Sequence, residues 1–200
     1  MHRQNLLAKL NAYTPTTEGE SRAHGRMVEF VAAHPNCFER RLAVGHITGS
    51  AWLLDATGTK ALLTHHRKLG KWLQLGGHAD GDPDVLAVAV REATEESGLT
   101  DIRPLSGDIF DVDVHRIPAH GDTPAHDHYD IRFLLQATSD DPIRISDESI
   151  DLRWFTHAEV PLLDTDDSVL RMNRKWAARM AHSGGSEGLS ASSPQDWQIP

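Results

Sequence analysis

Apolar positions recur every three or four residues in two blocks near the start of the chain: Leu6, Leu7 and Leu10, then Met27, Phe30 and Val31. That spacing predicts helices over residues 3–13 and about 17–34, each with one side turned to a core. Pro15 separates them and His34-Pro35-Asn36 ends the second, so 1–40 reads as an N-terminal helical extension. From Ala43 the period shortens. HITGSAWLLD alternates loosely, ATGT is a turn and KALLTHH is a second apolar run, so 43–66 reads as a hairpin. KLGKWLQL then leads into Gly76-Gly77, and helical spacing returns in Leu86, Ala89, Val90 and Ala93. A helix over 84–97 follows, with Asp84 as N-cap and Gly98 as the stop. IFDVDVHRI, HYDIRFLLQAT and the shorter LRWF read as strands. Asp166 to about His182 reads as a last helix that can bury Val169, Leu170, Met172, Trp176 and Met180. The low-complexity stretch within 183–200 predicts a flexible tail ending in Trp197 and Ile199. Helices and strands mix without regular βαβ alternation, which predicts an α+β sandwich around a mixed sheet, spanning about 43–180.

Composition narrows the partners. The chain has 200 residues, 39% hydrophobic and 24% charged, with a formal net charge of −9. Nucleic-acid polymers favour basic faces, so that balance argues against one as the main partner. A small phosphorylated ligand stays compatible, because a divalent cation can join two sets of anions. The single cysteine, Cys37, admits no disulfide within the chain. The opening residues lack the apolar core of a signal peptide, and no run reaches the ~20 apolar residues that span a bilayer. These features predict a cytoplasmic protein without a membrane segment.

The candidate chemistry lies in the 84–97 helix. Glu92, Glu95 and Glu96 crowd onto one flank within a single turn. Like charges so spaced repel by about 0.2–0.5 kcal/mol a pair. A hard divalent cation would repay that cost, since Mg2+ takes one or two carboxylates and keeps places for water and phosphate. A solvated acidic helix face is the plain alternative. Two neighbours favour the cation: a turn at Gly76-Gly77, which lets backbone approach a ligand, and Arg91 beside the first glutamate.

The segment resembles the Nudix box, the signature of the Nudix hydrolases: a glycine, five residues, a glutamate, seven residues, then Arg-Glu-apolar-any-Glu-Glu-any-Gly-apolar. Gly77 opens it, and Arg91-Glu92-Ala93-Thr94-Glu95-Glu96-Ser97-Gly98-Leu99 matches its second half at every fixed position. The first glutamate of the box is replaced by Pro83, which leaves Asp82, Asp84 or Glu95 to pair with Arg91. The resemblance implies a Nudix-type α/β/α sandwich over 43–180, with the N-terminal helices outside the common core. It implies a hydrolase that cleaves a nucleoside diphosphate derivative by water attack on phosphorus. Mg2+ or Mn2+ would be held by Glu92, Glu95, Glu96 and the Gly77 carbonyl, with Arg91 and Glu95 as catalytic residues. Some members draw their general base from a later loop, and Glu148, just before the LRWF strand, is the candidate here.

The chain has thirteen histidines. His115, His120, His126 and His128 fall on two strands and their connection, with His126, His128 and Asp130 on one face by period 2. They fit no closed structural zinc spacing, so His126 and His128, with His78 after the glycines, are assigned to substrate contact, with a dedicated second metal and plain loop or strand polarity as the alternatives. His65, His66, Arg67, Lys68 and Lys71 form a basic cluster at the hairpin end. Trp52, Trp72 and Trp154 are expected in the core. Two other readings compete. Isopentenyl diphosphate isomerases resemble Nudix proteins but need a cysteine immediately before the Gly-His, where this chain has Gly76. A non-catalytic ligand sensor on the same fold would account for Pro83, against the retention of all three glutamates. Many family members are homodimers, and the extension offers a surface for one.

Overall fold

A computed structural model of the chain describes residues 2–121, 123–146 and 149–183. The tail and Glu148 thus lie outside the described residues.

The sheet is assembled on β1 (Gly45–Leu54), which is buried at all ten positions. Along one edge β1 pairs in parallel with β7 (His126–Ala137), from Gly45 opposite Asp127 to Leu54 opposite Gln136. Its other edge is shared. β2 (Lys60–His66) pairs only with its end, at Leu53–Leu62 and Leu54–Ala61. The short strand β4 (Leu75–His78) takes the beginning, from Thr48–His78 to Ala51–Leu75. The expected hairpin over 43–66 therefore forms, but its strands part after two pairs. β2 then continues with the two-residue β3 (Trp72–Leu73) and with β8 (Ser149–Thr156), a longer strand than LRWF alone. β5 (Ile102–Pro104) and β6 (Asp111–Ile117) both pair with β7, completing a mixed, eight-stranded sheet.

Period 2 on β1 sorts the two faces. Ile47, Ala51 and Leu53 meet Val88, Ala89 and Ala93 of α3 (Val85–Ser97) in one core. Leu6 and Leu10 of α1 (Gln4–Ala12) and Met27, Phe30 and Val31 of α2 (Glu18–Ala33) belong to that same core, and Phe30 stacks on Tyr129 of β7 at 3.8 Å. The N-terminal helices are thus built into the domain's interior. On the other face Trp52 and Leu54 join Leu134, with Met172 and Trp176 of α4 (Asp167–Ser183), in a second core. Trp52 is fully buried, whereas Trp72 is half-buried at the margin of this second core and Trp154 at the margin of the first. Among the described residues no helix is long and apolar enough to cross a membrane.

Towards the beginning of β1 this second face turns polar. Asp130 accepts hydrogen bonds from Thr48 (2.9 Å), Ser50 (2.7 Å) and Arg132 Nε (2.7 Å). Arg132 and Arg171 both reach Asp111, at 3.1 and 2.7 Å. Lys175 bridges Asp111 (2.8 Å) to Glu20 of α2, which also accepts from the Tyr13 hydroxyl and the Thr16 amide. Burial alone would push the Glu20 carboxyl up. The bonds from Lys175, Tyr13 and Thr16 outweigh it and hold the pKa down at about 2.

A carboxyl held below its unfolded value contributes stability that is present at neutral pH and lost as pH falls from about 4.5 towards 2. The full effect is on the order of 3 kcal/mol. Glu20→Gln should therefore be less stable than the parent at pH 7, and the gap should narrow as pH falls below about 4.5 and close only as it approaches 2. Urea unfolding of both proteins across that range checks it; a gap that does not change with pH would remove Glu20 as the cause.

Candidate functional site

α3 starts where the Asp84 carboxylate accepts from the Ala87 amide (3.2 Å), and it stops at Gly98, whose φ of 70° suits a residue without Cβ. Its seated face is Val85, Val88, Ala89 and Ala93, with Leu86 and Val90 only partly buried. That is one step round from the stripe expected. The rotation matters because Glu92 and Glu96 continue the ridge of Val85 and Ala89 by helical spacing, so they are carried in towards β4. Glu95 falls outside the ridge and its side chain is 63% exposed, against 16% for Glu92.

Gly76 and Gly77 lie within β4 rather than in a turn. The Gly76 amide donates to Glu96 at 2.8 Å. A Cβ built on Gly77 would overlap the Glu92 carboxylate, so only glycine lets this carboxylate lie directly on the strand's backbone. Arg91 donates to Glu92 (2.7 Å) and to the His78 carbonyl (2.9 Å), and lies 3.9 Å from Glu95. Of its three expected partners only Glu95 is near it. Asp84 is used in the helix cap, and Asp82 accepts from the Asp84 amide at 2.9 Å. The bond to Glu92 raises the Arg91 pKa. Burial raises that of Glu92, against the opposing pull of Arg91. The result is a cluster of oxygen donors, part buried and part open, held between a helix end and an edge strand. Glu148, the late carboxylate, lies outside the described residues.

The histidines form a second group. His46 of β1, His78 of β4 and His128 of β7 converge, with one ring nitrogen from each lying within 4.8 Å of the others. His126 is 5.0 Å from His46, ring to ring, and His115 is 5.5 Å from His128. Burial lowers His46 to about 4 and lowers His128 further, with neighbouring histidines adding to both, so these rings are neutral near pH 7. The sequence reading singled out His78, His126 and His128, and missed His46. The signal was its parity with Thr48 and Ser50 on β1. His65 stacks on Trp72 at 5.1 Å, and Arg67 donates to the Ser149 carbonyl at the end of β2. His120 sits in a turn bridged to Thr123. A groove of about 690 Å³ lies elsewhere, between α1 and α4, lined by Lys9, Tyr13, Phe110, Lys175 and Arg179. It contains none of the carboxylates above.

Comparison with known proteins agrees with this layout. The NUDIX domain model matches residues 46–176. No curated protein matches the sequence. Among solved structures, a C. elegans Ap4A hydrolase has a TM-score of 0.55 at 18% identity, over 68% of this chain and 98% of its own. A MutT protein from Methanosarcina mazei Go1 has a TM-score of 0.53 at 17% identity, over 70% and 97%. The E. coli dihydroneopterin triphosphate pyrophosphohydrolase has a TM-score of 0.52 at 14% identity, over 66% and 95%. These likenesses show a shared fold, and with two thirds of the sequence matched by the domain model, the chain belongs to the NUDIX family.

Proposed function

We propose that this chain is a metal-dependent hydrolase that cleaves a diphosphate linkage in a nucleoside diphosphate derivative by water attack on phosphorus. The observation that carries the reading is the seating of Glu92 and Glu96 on the β4 backbone, with Glu95 beside them and open to solvent. The donor set is all oxygen: the Glu92, Glu95 and Glu96 carboxylates and the Gly77 carbonyl. It suits Mg2+ or Mn2+ and not a softer ion. Bound there, such an ion supplies neutralisation of the diphosphate and a more acidic water.

The chain's own residues do the rest. Arg91 fixes the Glu92 carboxylate and ties it to the His78 carbonyl, so helix and strand keep one spacing. Glu96 is oriented by the Gly76 amide. Glu95, with a side chain 63% exposed, is proposed as the base that accepts a proton from the attacking water, and Glu148 as the alternative base. Pro83 is compatible with this arrangement because Arg91 is already held from two sides.

Glu95→Gln/Glu96→Gln should lower turnover by about 1,000-fold or more, equivalent to ~4 kcal/mol of barrier. A phosphorus-NMR screen with Mg2+ or Mn2+ checks this over nucleoside diphosphate derivatives, Ap4A and dihydroneopterin triphosphate, the last two being the compounds for which two solved relatives are named. No turnover by the parent protein, with Mn2+ still bound, would replace the hydrolase reading by a ligand sensor. Pro83→Glu should change turnover by less than ~3-fold and stability by no more than about 0.5 kcal/mol, as a substitution at an exposed position. A tenfold rise in kcat would show that Arg91 lacks a partner in the parent.

A further inference from the structure

We propose that His46, His78 and His128 form a second metal site, for a divalent first-row transition ion of the Zn2+ class, on the opposite face of β4 from the carboxylates. The register places it there. His78 lies opposite Thr48 and Gly77 opposite Gly49, so period 2 turns the His78 ring towards the side of His46, Thr48 and Ser50. Gly77 faces α3 and Glu92. His46 and His128 are directly opposite on the β1–β7 ladder, and their rings lie 4.8 Å apart. His78 closes the triangle at 5.0 Å from each.

Three observations point to an ion. His46 is 2% exposed, and neither of its ring nitrogens has a hydrogen-bond partner. His128 Nε2 is also buried without one. Buried polar atoms left unsatisfied are destabilising, and a cation between the rings would satisfy them. The donors are imidazole nitrogens, because the carboxylates on this face are engaged: Asp130 and Asp111 with Arg132 and Arg171, and Asp113 with His115. Nitrogen donors favour Zn2+, Co2+ or Ni2+ over Mg2+. Nitrogens bound to one tetrahedral ion at ~2.1 Å lie about 3.4 Å apart. The ring nitrogens need to draw in by at most about 1.4 Å from their present limit of 4.8 Å. Three protein ligands leave a position for water or for an oxygen of an anionic ligand.

Tag-free protein, stripped with chelator, is titrated with Co2+ and then with Zn2+ in competition. The expected result is one equivalent bound with the strong visible absorption of four-coordinate Co2+. His128→Gln and His78→Gln should each weaken binding by at least ~100-fold, the upper end of what loss of an outer-shell partner costs. Glu95→Gln/Glu96→Gln should leave it unchanged. His78 is only half-buried, so His78→Gln keeps the test valid if a deeper substitution fails to fold; thermal melting of each variant establishes this. Absence of the Co2+ band overturns the proposal, and so does a band that survives both histidine substitutions or is lost in the glutamate variant. The readout is binding, so it stands apart from whether the chain hydrolyses a diphosphate.

Discussion

Asp111 is fully buried and accepts from three cations, Arg132, Arg171 and Lys175. That one carboxylate ties β6 to β7 and to α4, and through Lys175 and Glu20 it reaches α2. Taking these charges out of water is costly, and it is recovered only when every member is paired. A chain that keeps them accepts a narrow choice of geometry: the helical extension, the sheet and α4 must all be in place for the network to close. The extension is therefore part of the domain's interior by charge as well as by its apolar packing with Phe30 and Tyr129.

The same network gives one sheet face its polarity gradient. Trp52 and Leu134 lie at the apolar end under α4, Ser50 and Arg132 in the middle, and His46 and His128 at the far end. The opposite face stays apolar along β1 and seats α3. β4 joins the ladder at the point where both conditions meet. As a strand paired on one side with β1, it exposes the Gly76 amide to Glu96 while its alternating residues look to two different environments.

Much of this was legible in the sequence. The caps of α3 follow from Asp84 and Gly98, and the long strands from their β-rich runs. The spacing of Arg91, Glu92, Glu95 and Glu96 was enough to pick out the family. What was not legible depended on long-range pairing. The parallel β1–β7 ladder joins residues some eighty positions apart, and only it brings His46 to His128. β4 is four residues with two glycines, which carries no strand signal, so the glycine pair read as a turn. The pairing of Arg91 with Asp82 or Asp84 failed for a local reason: both aspartates are spent on starting the helix.

His78 is where the two faces are joined. Its carbonyl accepts from Arg91, which holds Glu92, while its ring lies with His46 and His128. One residue's backbone thus helps set the carboxylate geometry and its side chain belongs to the imidazole group. β4 is short and paired with β1 along one edge, so the strand that lays the Gly76 amide and the Gly77 backbone against the carboxylates is also the one that turns the His78 ring to the imidazoles.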